Sequence, residues 1–495
     1  MAMTLEGHGP GIGPPGTQPP ADPRRFRALA VIAVAQLMIV LDATVVTIAL
    51  PSAQKALHIS VADRQWVMTA YTLAFGGLLL LGGRIADYLG RKRMFVLSLI
   101  GFAAASALGG LAQSPAMLFG SRALQGAMAA VMAPAALSLL TVTFTEPRER
   151  ARAFGVYGAI AGGGAAIGLI LGGLLTQYIS WRWTLLINAP IAVAAALAAT
   201  RLVGESRSEH RSHYDLRGAL TSTAGLVALV YGFTRADTAG WGAASTLSLV
   251  AAGVVLLAGF VVFELRASSP LLPLRVLTDR NRGGAYLASL LAGTAMFATF
   301  LFLTYYLQQT LGYSAIRSGF AFLPFSVGIV GGATVSSRLL PRFGPRPLMV
   351  GGFLLAAAGL LLFTQVQADS TYLLHILPAE LLTSAGMGTS FVPLSSTALI
   401  GVDPADAGVA SALVNTTQQT GGSLGVALLN TVAASATSGY LAGHGPAAVR
   451  AAAVHGYTTA FLVSCALLAT ASAACLLLLR AGRHDVPAEP GLVAV

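Results

Sequence analysis

Charge is scarce in this chain. Only 10% of its 495 residues are Asp, Glu, Lys or Arg, against about 25% in an average soluble protein, and that shortage excludes a water-soluble globule. Cysteine is rarer still. Cys465 and Cys475 are the two present, ten positions apart in one apolar stretch, roughly 15 Å along a helix and too far to bridge. Neither a disulfide framework nor a metal-ligand spacing can be read from them. No phosphate-binding loop or nucleophile–base pair stands out, because the Gly-rich stretches lie inside apolar runs. A membrane-embedded enzyme therefore has no motif to support it, and no cofactor or nucleotide is expected. The opening stretch MAMTLEGHGPGIGPPGTQPPADP lacks the charged and apolar regions of a cleaved leader. Its Gly and Pro content predicts a disordered tail over 1–23.

What the chain has in abundance is apolar length. Hydrophobic residues make up 55% and the mean hydropathy is +0.73. A spanning helix takes roughly 20 apolar residues. On that basis the candidates are 27–50, 65–83, 93–112, 116–140, 152–176, 183–202, 217–234, 244–265, 284–307, 318–337, 347–366, 372–399, 407–435 and 457–479. The class is an all-α polytopic membrane protein with fourteen transmembrane helices. Fourteen spans put both termini on one side. Of 30 Lys and Arg, all but seven fall in alternate segments on the side of the N-terminus, as cytoplasmic loops require. Lys55, Arg64, Arg182, Arg235, Arg317 and Arg450 fall on the other side, and Arg122 lies inside a span. The net charge of +11 is thus a topology signal facing anionic lipid rather than nucleic acid. Loop 400–406, with Asp403 and Asp406 and no base, breaks the pattern.

The segment RIADYLGRKRMFV, 84–96, aligns with RLLPRFGPRPLMV, 338–350: Arg84 with Arg338, Gly90 with Gly344, Lys92 with Arg346. Half-to-half similarity is typical of transporters built from duplicated bundles. The spacing implies a 6+2+6 arrangement. Residues 24–203 form an N-terminal six-helix bundle, 204–282 a linker with two extra spans, 283–480 a C-terminal six-helix bundle, and 481–495 a cytoplasmic tail.

Several motifs converge on one family. GGRIADYLGRKRMF (82–95) resembles the inner-loop signature of the major facilitator superfamily, and FGSRALQGAMAAVMAPA (119–135) resembles its fourth-helix motif. LDATVVTIALP (41–51), WRWTLLINAP (181–190) and GVASALVNTTQQTGGSLGVALLNT (408–431) are similar to signatures of its fourteen-span drug:proton antiporter branch. The resemblance covers nearly the whole chain outside the tails. It implies a major facilitator fold that alternates access between two bundles. It also implies an inner-loop gate of Asp87, Gly90, Arg91, Lys92 and Arg93 that stabilises the outward-facing state. Gly164, Gly168 and Gly172 lie on one helix face at intervals of four, where small residues permit close packing. The resemblance places this motif where two bundles meet, although Leu169 stands where the family pattern has Pro.

Ionisable side chains inside spans mark ion or substrate paths. Asp42 lies roughly 22 Å up its helix from the inner arginines. Arg122 and Glu380 reach a similar depth from two other helices. Asp42 reads either as one half of a static ion pair with Arg122 or as a group that takes and releases a proton. Arg122 reads as tuning it or as snorkelling to the interface. Glu380 reads as a second protonation site or a contact for a cationic substrate. Tyr71, Gln125, Asn188, Gln418 and Gln419 are cavity candidates, and His375 an interface residue. Phe297, Phe300, Phe302, Tyr305 and Tyr306 crowd the ninth span and read as a lipid-facing or packed surface, with stacking on a drug the alternative.

The expected function is proton-coupled export of amphipathic, cationic drugs or antibiotics across the plasma membrane. A dedicated exporter of one endogenous metabolite or self-made antibiotic is the alternative, and a non-transporting sensor the second. The expected partners are the small-molecule substrate, protons and the lipid bilayer, with the protein taken as a monomer.

Overall fold

In a computed structural model of the chain, residues 25–144, 146–206, 216–267, 270, 272, 274–402 and 407–485 are described. The expected tail 1–23, most of the tail 481–495, and the acidic pair Asp403 and Asp406 lie outside them.

The helices run in chain order as α1 (Arg25–Ala56), α2 (Trp66–Leu89), α3 (Arg91–Gly110), α4 (Pro115–Thr143), α5 (Pro147–Tyr178) and α6 (Trp183–Leu202). Then come α7 (Leu216–Ala239), α8 (Ala244–Arg266), α9 (Arg280–Tyr305) and α10 (Ala315–Phe343). The last four are α11 (Pro345–Phe363), α12 (Leu377–Leu399), α13 (Ala407–His444) and α14 (Val449–Leu478). Among the described residues, 11 helices are long and apolar enough to cross a membrane; α5, α7 and α12 are not among them. Several helices overrun their expected limits: α2 runs on to Leu89, α7 to Ala239 and α10 to Phe343, and α14 begins at Val449. The first helix continues through Pro51 to Ala56, and α13 extends to His444 instead of stopping near 435.

Within the N-terminal bundle α2 packs on α4, α1 on α5, and α3 on α4 and α6. The C-terminal bundle pairs α10 and α11 with α12, and α9 with α13 and α14. Between them, α2 lies against α13, and α5 against α10. The added pair α7 and α8 packs together, with α7 leaning on α2 and α13. Val254, Val255 and Leu265 of α8 are exposed, as befits an outermost helix facing hydrocarbon.

In lipid the hydrophobic effect does not drive helix to helix, so small residues that let backbones approach become the packing code. A Cβ on Gly126 would lie 2.2 Å from the Tyr71 carbonyl oxygen, and one on Gly82 2.2 Å from that of Ala130. The other bundle repeats the device, where a Cβ on Gly388 would lie 2.1 Å from the Ile329 carbonyl oxygen. The aligned glycines Gly90 and Gly344 occupy matching junctions, α2–α3 and α10–α11. They have φ of 108° and 78°, a region that disfavours a side chain.

Candidate functional site

Asp42 lies in the middle of α1, which carries no other acid. Its carboxylate is fully enclosed and meets donors from two neighbouring helices. Arg122 on α4 donates from Nη1 to Asp42 Oδ2 at 2.5 Å. Gln125, one turn on, donates from Nε2 to Oδ1 at 2.9 Å. Asn188 on α6 donates from Nδ2 to the same oxygen at 2.9 Å. These three groups donate to Asp42, so the arrangement suits an ionised acid that only accepts.

Arg122 is equally well supplied. Its Nη1 also donates to Gln125 Oε1 at 2.9 Å, and its Nε to the Val67 carbonyl at 3.0 Å. The guanidinium carbon stands 4.4 Å from the centroid of the Tyr71 ring, a favourable cation–π placement. Gln125 completes the network by donating to Ser106 Oγ at 2.7 Å. Snorkelling of Arg122 is ruled out, since the residue is 1% exposed. Gly126 is what lets α4 come close enough to α2 for Arg122 to reach the Val67 carbonyl.

The cavity candidates divide. Tyr71, Gln125 and Asn188 are buried and form the wall of the Asp42 network. Gln418 and Gln419 are half-buried on α13, and Gln418 joins Ser289, Phe353 and Met387 around a recess of about 20 Å³. That is room for one water.

Glu380 belongs to the other bundle, in the first turn of α12. It is fully buried. Tyr372 Oη lies 2.9 Å from its Oε2, and its Oε1 has no hydrogen-bond partner. The sequence grouped Glu380 with Asp42 and Arg122 by depth; no hydrogen bond or ion pair joins it to either among the described residues. Of the aromatics on α9 and the turn after it, Phe302, Tyr305 and Tyr306 are buried, while Phe297 and Phe300 are half-buried.

The inner-loop motif forms a closed local unit. Asp87 accepts from Arg91 Nε at 2.8 Å. Glu205, which the sequence did not single out, accepts from the backbone N–H of Lys92 and Arg93 at 3.1 and 3.2 Å. It thus caps α3, where a carboxylate favours the helix dipole. Lys92 Nζ donates to the Thr200 carbonyl.

The glycine stripe of α5 packs differently from expectation. Gly164, Gly168 and Gly172 face Val40, Thr44 and Val45 of α1, inside one bundle. The face of α5 that meets the other bundle is displaced by one residue. A Cβ on Gly173 would lie 2.7 Å from Ile316 Cα, and one on Gly319 2.4 Å from the Leu169 carbonyl oxygen. Leu169, standing where the family pattern has Pro, is therefore a joint residue whose backbone touches α10.

Call the end where Arg25 lies the tail end and the opposite one the far end. Among the described residues, the hydrogen bonds that cross between bundles lie in the far half. Tyr305 Oη donates to Gln54 Oε1, Gln308 to the Ile48 carbonyl, and the Ile316 N–H to Gln177 Oε1. Arg64 Nε donates to Asn430 Oδ1 at 3.1 Å, Asn430 reaches back to the Val61 carbonyl, and the Arg64 guanidinium stacks on Tyr305 at 4.1 Å. The far end is shut. Arg64 is 5% exposed, although by charge counting alone it reads as an outer-loop base.

The Major Facilitator Superfamily profile matches residues 32–426. A puromycin resistance protein of Streptomyces alboniger is 52% identical over 452 residues, covering 90% of each chain. The cephamycin export protein of Amycolatopsis lactamdurans is 42% identical, covering 83% of this chain and 86% of that one. A tetracenomycin C resistance and export protein of Streptomyces glaucescens is 36% identical, covering 83% and 76%. Among solved structures, a bacterial homologue of the lysosomal transporter Spinster, inward-facing and unoccupied, superposes with a TM-score of 0.67. It is 18% identical and covers 94% of this chain and all of that one.

Proposed function

The chain belongs to the Major Facilitator Superfamily, and from that premise we propose that it is a proton-driven exporter of amphipathic, cationic antibiotics or drugs. Near-full-length likeness to a protein named for puromycin resistance is the observation that carries the cargo class. The buried Asp42–Arg122 network supplies the coupling device. In this reading α5, α7 and α12 also span, giving fourteen helices in a 6+2+6 order. Both termini are then cytoplasmic, the membrane is the plasma membrane, and the conformation with a shut far end is inward-facing.

The network explains how a proton is exchanged for cargo. Ionised Asp42 uses all three of its donors. A proton on Asp42 would stand against Arg122, so uptake requires α1 to shift relative to α4 and α6. Proton binding and helix movement are then one event. Among the described residues, the inner-loop unit of Asp87, Gly90, Arg91, Lys92 and Arg93 bonds to Thr200, Glu205 and Ser206 and to no residue of α9–α14, consistent with a gate that engages when the tail end closes.

A dedicated exporter of a self-made antibiotic is the second reading. It is favoured by relatives whose names each carry one antibiotic. Expression in a puromycin-sensitive host separates the outcomes. Resistance and puromycin efflux that disappear with a protonophore and with Asp42→Asn support proton-driven export. Efflux indifferent to the protonophore overturns the coupling. Competition by ethidium marks a broad exporter, and its failure a dedicated one.

A further inference from the structure

Tyr372 makes two close contacts through one hydroxyl. Its Oη lies 2.6 Å from the carbonyl oxygen of Ala321 and 2.9 Å from Glu380 Oε2. A phenol has one hydrogen to give, and a backbone carbonyl can only accept. The shorter contact takes the phenol's hydrogen, so the contact with Glu380 needs a hydrogen from the carboxyl. We propose that Glu380 carries a proton in this conformation, and that this proton, acting through Tyr372, latches the far end shut.

The surroundings of Glu380 fit a neutral acid. No ion pair reaches it among the described residues, and its second oxygen has no partner. The elements packed against α12 bring few charges. On the turn before it, Tyr372–Ile376, His375 is exposed and bonds Thr371. The bases of α10 are Arg338 and Arg342 at its tail end and Arg317, which stacks on Tyr313 at 3.8 Å. The α11 helix has Arg346 alone, bonded to the Leu476 carbonyl at the tail end. From α9 come Arg280 and Arg282 at the tail end, Tyr286, bonded to the Ala398 and Ala410 carbonyls, and Tyr305, bonded to Gln54; from α13, His444 at the far end, bonded to Tyr440. A carboxylate at this place would be a buried charge without a counter-ion, a costly arrangement.

The latch follows from where Ala321 sits. It closes the first segment of α10, Ala315–Ala321, at a helix end whose carbonyls need outside donors. That same segment carries Ile316 and Gly319, which meet α5 of the other bundle. When Glu380 releases its proton, the carboxylate becomes the stronger acceptor. The Tyr372 hydrogen swings to it, the Ala321 carbonyl loses its donor, and the joint segment is freed. Glu380 is then a proton-binding residue and Tyr372 a positioning residue. Their order of events rests on the proton-driven reading above: loss of the proton to the inside unlocks the move that carries cargo outward.

The test uses the full-length chain in lipid. Infrared spectra at neutral pH should show a protonated carboxylic acid carbonyl band that disappears in Glu380→Gln and shifts in Tyr372→Phe. Spin labels at Tyr178→Cys and Val449→Cys, with Cys465→Ala and Cys475→Ala, report the far end. Wild type should lengthen this distance as pH rises. Glu380→Gln, whose amide still donates to Tyr372, should lose that response and stay closed, and Tyr372→Phe should open already at acid pH. The latch is overturned if Glu380→Gln leaves the infrared spectrum unchanged, or if its distance follows pH as wild type does. Those readouts need neither cargo nor gradient. A protonophore-insensitive export would therefore defeat the antiport reading separately from the latch.

Discussion

Asp42 and Glu380 are two enclosed carboxyl groups, one in each bundle, and their surroundings are opposite. Asp42 meets three donors from α4 and α6, one of them a guanidinium. Glu380 meets a single phenol whose hydrogen is committed to a carbonyl. Equal burial thus produces one site built for a charge and one built for a neutral acid. Burial sets the cost of a charge, while the inventory of donors decides whether that cost is met. In the proton-driven reading proposed above, Asp42 is a switch that must be forced to change and Glu380 a store that holds its proton.

Three substitutions sharpen that contrast. The largest effect is expected from Arg122→Ala, which strands the Asp42 carboxylate. Breaking a buried pair from one side costs about 3–5 kcal/mol, so thermal unfolding in detergent should drop steeply and export should vanish. A near-normal unfolding temperature would show that Asp42 takes up a proton readily, and the contrast would collapse. Glu380→Gln should act the other way. Its unfolding temperature should stay close to wild type, because it replaces a neutral acid by a neutral amide, while gradient-driven efflux from vesicles is lost. A loss of stability as large as that of Arg122→Ala would mean that Glu380 is charged. The smallest effect should come from Asn430→Asp, which gives Arg64 a counter-ion across the far-end seam. It should favour the shut far end and slow turnover several-fold, read as efflux rate against surface level, with cargo affinity from the inside preserved.

Much of this was legible in the chain before any coordinates. An acid and an arginine at matching depth in two apolar runs announce a pair, and Gly90 announces the turn where α2 becomes α3. The amides Gln125 and Asn188 were visible as polar groups in spans, but nothing in their spacing says that they converge on one oxygen of Asp42. That depends on how α6 leans on α3. Glu380 was visible as a buried acid, yet its one partner comes from a π-helical turn just before its own helix, which periodicity does not reveal. The glycine stripe misled by one residue. Intervals of four define a face, and they do not say which neighbour it faces. Glu205 and Arg64 sit near span ends, where a charge reads by default as a loop residue. One caps a helix and the other closes a seam.

The joint between α5 and α10 has a further consequence. It is made where Gly173 and Gly319 offer no side chain and backbone rests on backbone. A joint written in absent atoms is indifferent to the chemistry of what passes beside it. Side chains elsewhere can change to admit a new cargo without altering this contact, and the two evolve as separate parts. A lineage of such chains can therefore diversify in what it expels while the machine that expels it stays the same.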